Sequence, residues 1–139
     1  MFASFDFDHC SFSLPLPSRI FIFSELPYHH IFPRDYLKKK GLTRGRYNQV
    51  ANYVMTQSEI NIAIGNKPPH QYFQEIFDQC NGGGLKYGGI THKEELLANL
   101  RMNCIPTDPA LLTFENYNAF LEQRRLLMAQ KIMTYYRSL

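Results

Sequence analysis

The chain has 139 residues, of which 45% are apolar and 19% charged, and its formal net charge is +3. This length and composition predict one domain with a modest single core, and they exclude a disordered or collagen-like chain. No apolar run approaches the roughly 18 residues of a membrane-spanning helix, so we expect no membrane partner. The small positive charge is compatible with nucleic-acid binding but does not by itself indicate it.

Residues 1–20 are predicted to form a poorly specified arm, or the remnant of a longer protein. They lack the basic start and apolar stretch of a signal peptide. Residues 19–23 are apolar and β-prone, which predicts a strand. We therefore expect the folded domain to run from residue 21 to residue 139.

The histidine pair is the most unusual local pattern, because His29 and His30 are followed by Ile31, Phe32 and Pro33. Imidazole can both hold a metal and take a proton near neutral pH. Adjacent side chains of a strand point to opposite faces, so both rings would serve one site only where the strand gives way to a loop. The alternative is two unrelated histidines on the surface.

The segment after the histidines predicts a short helix at residues 33–40, stopped by Gly41, and then a loop at residues 42–50. The end of this helix and the start of the loop together form the densest positive stretch of the chain. This stretch indicates either a solvated surface or a rim that contacts phosphates. Its basic residues are Lys38, Lys39, Lys40, Arg44 and Arg46.

A second strand is predicted at residues 52–56. Thr56 with Glu59 three positions later forms a capping-box pattern, which predicts that a helix starts there. This places Asn61 in the second turn of the helix, facing the strand pair, with Ile60 and Ile64 on the buried face.

The C-terminal half is predicted to be helical at residues 69–80, at residues 91–103, and from Thr113 or Asn116 to about residue 137. The glycines at residues 82–89 lack the context of a dinucleotide site and predict a loop. Arg124 and Arg125 could reach a phosphate, but a solvated helix face is favoured. The aromatic stripe of the first helix is favoured as core over a base-stacking platform. The apolar stripes comprise Tyr72, Phe73, Ile76, Phe77, Leu96, Leu97, Leu100, Tyr117, Phe120, Leu121, Leu127, Met128 and Ile132.

The sequence His-His-Ile-Phe-Pro at residues 29–33, together with Ala-Asn-Tyr-Val-Met-Thr-Gln-Ser-Glu-Ile-Asn at residues 51–61, resembles the HNH family of His-Me finger nucleases. The wider run through residues 66–73 resembles the HNH module at the C-terminal end of GmrSD-type restriction enzymes, which attack modified foreign DNA. The resemblance covers about residues 28–137. It implies an α+β fold in which a ββα-metal core at residues 26–66 carries additional C-terminal helices.

The resemblance also implies roles for individual residues. His29 and Asn61 would hold a divalent metal, His30 would be the general base, and Asn52 would brace the loop. His29 stands where many family members carry Asp, although colicin-type nucleases also carry a His-His pair. The metal would be Mg²⁺ or Mn²⁺, with Ni²⁺ or Zn²⁺ also suited to an imidazole ligand. Phosphate contacts are expected from Lys38, Lys39, Lys40, Arg44, Arg46 and Lys67, the last of which could equally be a lysine on a surface turn.

The expected function is metal-dependent hydrolysis of DNA, giving 5′-phosphate and 3′-hydroxyl ends, in the restriction of foreign or modified DNA. The alternative is a non-catalytic DNA- or protein-binding module that retains the fold. A homodimer or a separate nucleotide-dependent targeting subunit would be the further partner. Cys10, Cys80 and Cys104 form no Cys-x-x-Cys pair, so we expect no structural zinc or disulfide, and reduced thiols indicate a cytoplasmic protein.

Overall fold

The computed structural model of the protein describes residues 28–139. The predicted arm at residues 1–20, the predicted strand at residues 19–23 and the first two residues of the predicted core at residues 26–66 lie outside the described residues. The described chain is mixed α/β and mostly helical, with one small two-stranded sheet.

The sheet pairs β1 (Tyr28–His30) with β2 (Tyr53–Met55) in antiparallel orientation. His29 lies opposite Val54 and His30 lies opposite Tyr53. The connection between the strands contains α1 (Arg34–Lys39), α2 (Arg44–Tyr47) and a 3₁₀ helix (Val50–Asn52). After β2 follow α3 (Ser58–Ile64), α4 (Pro69–Cys80), α5 (Lys93–Met102), a second 3₁₀ helix (Pro109–Leu112) and α6 (Tyr117–Ser138).

The predicted helices are confirmed where an apolar period or a terminator residue marks them. α1 ends before Gly41, whose φ of +87° is readily adopted only by glycine. α3 ends at Gly65 in the same way, with a φ of +56°. α4 begins at Pro69, because proline at the first helical position loses no intrahelical hydrogen bond.

Two local predictions are wrong. The segment at residues 42–50 is not a plain loop, because it contains α2 and part of a 3₁₀ helix, and α2 is anchored by the buried ring of Tyr47. The start of α3 is also displaced, because the helix begins at Ser58 and its N-cap position belongs to Gln57 and not to Thr56. Thr56 itself is fully buried.

The core joins the sheet region to the C-terminal helices. Phe32, just after β1, packs against Tyr117 and Phe120 of α6, with ring centroids 4.9 and 5.0 Å apart. Tyr72 of α4 is fully buried, and its hydroxyl donates to the Ile31 carbonyl at 2.7 Å. The segment that follows the histidines is therefore held by two helices that come much later in the chain.

The stripe of α6 packs on the core only in its first half. Tyr117, Phe120 and Leu121 are buried, as predicted, and Leu127 and Met128 are half-buried. Ile132 was predicted to pack but is 55% exposed, because this 22-residue helix extends beyond the core. None of the helices between residues 28 and 139 is long and apolar enough to cross a lipid bilayer.

Candidate active site

A cavity of about 320 Å³ lies where β1 ends, α1 begins and α3 passes beside them. It brings together three of the predicted site residues, His29, His30 and Asn61. Its lining consists of Tyr28, His29, His30, Pro33, Arg34, Asp35, Asn61, Gly65 and Asn66.

The histidine pair lies at the junction of strand and loop. His30 is the last residue of β1, and Ile31 then donates its backbone N–H to the Asn52 carbonyl at 2.8 Å. A regular strand would direct the two rings to opposite faces. Here both histidines line the same cavity, at the end of the strand.

His29 carries a nitrogen that needs a partner. Within the described residues, its Nε2 is buried and makes no hydrogen bond. Burial lowers the pKa of His29, and the neighbouring His30 lowers it further. A neutral imidazole is the form that ligates metals, and an unpaired buried nitrogen is rare in proteins because it is costly.

The donor set around the cavity fits a weak divalent-metal site. Within residues 28–139, no three His, Cys, Asp or Glu side chains are grouped so that they could hold a metal ion. His29 and the half-buried Asn61 would offer two neutral ligands, an imidazole nitrogen and a carboxamide oxygen. The remaining ligands would have to be waters and substrate oxygens, so affinity would depend on the substrate.

His30 is held by contacts on several sides. Its Nε2 lies 2.9 Å from Oδ1 of Asn48. Its ring centroid lies 4.7 Å from that of Tyr53 and 6.2 Å from that of Tyr47. Asn48 was not among the predicted site residues, because no local pattern distinguishes it from other polar residues of the loop.

Asn52 is fully buried and connects two separate segments. Its Oδ1 accepts from the Phe32 backbone N–H at 2.8 Å. Its Nδ2 donates to the carbonyls of Phe32 and Tyr47, at 3.2 and 3.1 Å. One side chain thus ties Phe32, which lies between β1 and α1, to Tyr47 at the end of α2, which is the geometry that a bracing role requires.

Arg34 and Asp35 also line the cavity, although neither was predicted to be a site residue. Their side chains form an ion pair with 3.3 Å between Nε and Oδ1, and they are 58% and 43% exposed. An exposed pair of this kind contributes little to stability. Arg34 is therefore an exposed cation at the cavity that this ion pair holds only weakly.

The predicted phosphate contacts fall into two places. Lys38, Lys39 and Lys40 are exposed at the far end of α1, about 9 Å along the axis of this six-residue helix from Arg34. Arg44 and Arg46 are exposed on α2. Arg46 shares a second, polar cavity of about 290 Å³ with Gln49, Asn118, Leu121, Glu122 and Arg125.

Lys67 is engaged within the protein. Its ammonium group lies 2.7 Å from both Oε2 of Glu75 and the hydroxyl of Tyr87. Glu75 also contacts Lys86 at 2.8 Å and accepts from the Tyr87 hydroxyl. The Lys67 hydrogen bond is the largest of the contacts that lower the pKa of Glu75 to about 2. A phosphate contact by Lys67 stays a prediction, and it would have to compete with this carboxylate.

Arg124 is buried, so neither predicted role, a solvated helix face or a phosphate contact, is correct. Its guanidinium donates to the Ala51 carbonyl at 2.9 Å and to the Asn103 carbonyl at 3.4 Å. Burial lowers the pKa of Arg124 to about 10, which still leaves it charged at neutral pH. It is a structural cation that links α6 to the residue before Asn52.

Comparisons with known proteins give no function. No model of a known protein family matches the chain, and no solved structure matches it. The chain is similar to a curated protein of Methanocaldococcus jannaschii named "Uncharacterized protein MJ0686", with 30% identity over 123 residues. The match covers 78% of this chain and 20% of that protein, so the chain spans about one fifth of its relative's length.

Proposed function

We propose that this chain is a metal-dependent endonuclease of the HNH type, in which β1, β2 and α3 form the ββα-metal core. The observation that carries the proposal is that His29, His30 and Asn61 line one cavity while Asn52 braces the loop beside it. These four residues are the ones that the resemblance to HNH nucleases assigns to the metal, the base and the brace.

The residues suit phosphodiester hydrolysis. This reaction needs an activated water, neutralisation of charge on the phosphate, and help for the leaving 3′-oxygen. His30 would take the proton from the attacking water, since a held imidazole is an effective general base near neutral pH. His29 and Asn61 would hold Mg²⁺ or Mn²⁺, which as a Lewis acid supplies charge neutralisation and stabilises the leaving oxygen.

The basic side chains around the cavity would guide the DNA backbone. Arg34 opens into the cavity itself, and the lysines at the end of α1 continue the positive surface away from it. Arg46 and Arg125 meet at the second cavity, on the side of α2. Cations of this kind position the backbone without reading its sequence.

The biological role would be restriction of foreign or modified DNA, by analogy with GmrSD-type enzymes. One site cleaves one strand, so double-strand cutting would need a second copy of the chain or a second binding event. A nucleotide-dependent subunit would be the partner that delivers the nuclease to DNA.

The deciding experiment is nicking of supercoiled plasmid by the purified protein with Mg²⁺, with Mn²⁺ or with EDTA. We expect nicking that requires a divalent metal and falls by at least about 100-fold in His30→Ala, since general bases contribute 10²–10⁴-fold. His92→Ala is the matched control, because His92 is exposed before α5 and outside the cavity. A folded wild-type protein that fails to cleave DNA with any of these metals, but still binds DNA in a salt-dependent way, would favour the non-catalytic binding module.

A further inference from the structure

We propose that Asn48 is a positioning residue for His30: its carboxamide oxygen keeps a proton on Nε2 and so leaves Nδ1 as the nitrogen that accepts. This inference rests on the proposed function for its catalytic meaning, but the hydrogen bond itself can be tested without any activity.

The first step is the contact between the two side chains. The Nε2 of His30 lies 2.9 Å from Oδ1 of Asn48, at the ordinary length of an N–H···O hydrogen bond. A carboxamide oxygen has lone pairs and no proton, so it can only accept. Nε2 must therefore carry the hydrogen, and in a neutral imidazole the free lone pair is then on Nδ1.

The second step is that this contact is the one that distinguishes the two ring nitrogens. The rings of Tyr53 and Tyr47 lie against His30 with interplanar angles of 52° and 63°. Such packing restricts where the imidazole plane can lie. It does not select which edge of the ring carries the proton, because that choice is made by hydrogen bonds. The selection therefore depends on Asn48.

The third step is that Asn48 is itself held in place. It follows α2 directly, and its backbone N–H donates to the Arg44 carbonyl at 3.0 Å. The preceding residue, Tyr47, is buried and accepts from Nδ2 of Asn52. Asn52 thus fixes the end of α2, and the end of α2 presents Asn48 to His30. Within residues 28–139, His30 is the hydrogen-bond partner of the Asn48 side chain.

The tautomer can be read by nitrogen NMR of the histidine side chains in ¹⁵N-labelled protein, in mildly alkaline buffer and without metal. The His30 signals are assigned by comparison with His30→Ala. We expect the Nε2–H form in the wild type, a mixture of both forms in Asn48→Ala, and restoration of the Nε2–H form in Asn48→Asp. Aspartate keeps an acceptor oxygen at the same distance from the backbone.

The same variants are then compared in plasmid nicking. Loss of the hydrogen-bond partner that orients a metal-ligating histidine typically costs about 10- to 100-fold in activity, and the partner of the general base His30 is expected to matter to the same degree. We expect a loss of that size in Asn48→Ala and partial recovery in Asn48→Asp. Asn81→Ala is the matched control, since Asn81 also follows a helix directly, is exposed, and lies at the end of α4. It should nick like the wild type.

The outcomes separate the two proposals. An Nδ1–H form of His30 in the wild type, or a tautomer unchanged in Asn48→Ala, overturns the role of Asn48 whatever the protein cleaves. If the wild type nicks plasmid and Asn48→Ala nicks it equally well, the role of Asn48 is also overturned. A tautomer that depends on Asn48 in a protein that never nicks DNA upholds the positioning contact and rejects the nuclease.

Discussion

Replacing Asn52 with alanine tests whether the brace holds the candidate site together. Asn52 is fully buried and its carboxamide makes three hydrogen bonds, one accepted from Phe32 and two donated to the carbonyls of Phe32 and Tyr47. Alanine removes all three and brings no group that could replace them. The backbone N–H of Phe32 is then left buried without its partner.

The size of the effect follows from these contacts. A hydrogen bond contributes about 1 kcal/mol net, and an unsatisfied buried group costs about 1–3 kcal/mol. The two donated bonds at about 1 kcal/mol each, and the orphaned Phe32 N–H at about 1–3 kcal/mol, therefore predict a loss of about 3–5 kcal/mol in the free energy of unfolding. Small domains have only about 5–15 kcal/mol in total, so the variant should lie close to the limit of folding.

The assay is urea unfolding followed by circular dichroism, which gives the midpoint and the slope m. Asn81→Ala serves as the control, because the same side-chain change at an exposed position should shift stability by less than about 0.5 kcal/mol. A loss below about 1 kcal/mol in Asn52→Ala, with an unchanged m, would refute the bracing role. It would mean that the two segments are held by other contacts.

Two further predictions concern charge. The contacts with Lys67 and Lys86 lower the pKa of Glu75 to about 2 in the folded protein, below the roughly 4.3 of an unfolded chain. These contacts therefore stabilise the fold fully at a pH above about 4.3, and this stabilisation is lost as the pH falls toward 2. Urea unfolding between pH 5 and pH 2 should therefore show a smaller fall in stability for Glu75→Gln than for the wild type; parallel curves would contradict this. Arg46→Ala should weaken DNA binding and lower the slope of log affinity against log salt by about 1, whereas Arg137→Ala, near the end of α6, should leave the slope unchanged.

The sequence predicted the elements whose signals are local. The stripe of Tyr72, Phe73 and Ile76 and the proline before it defined α4 with correct bounds. α2 was missed because four residues are too short to show a helical period. The N-terminus of α3 was placed slightly early, because helix ends predicted from a local capping pattern are uncertain by one or two residues and α3 begins at Ser58 after Gln57.

The candidate site was predictable only in part, and for a different reason. His29, His30 and Asn61 were grouped through the resemblance to a family, and no periodicity would have brought them together. Asn48 contacts a residue 18 positions away, so its partner is visible only in three dimensions. Arg124 was misjudged because its burial depends on carbonyls from two other parts of the chain.

The buried guanidinium of Arg124 bears on whether this site could be moved to another protein. The segment at residues 28–66 contains the cavity, yet its two strands are only three residues long each, and an isolated two-stranded unit is marginally stable at best. The Ala51 carbonyl of this segment accepts a hydrogen bond from the Arg124 guanidinium of α6. Phe32 packs against two aromatic rings of the same helix. A transplanted segment would therefore need a new cation and a new apolar surface from its host, supplied at the same two points.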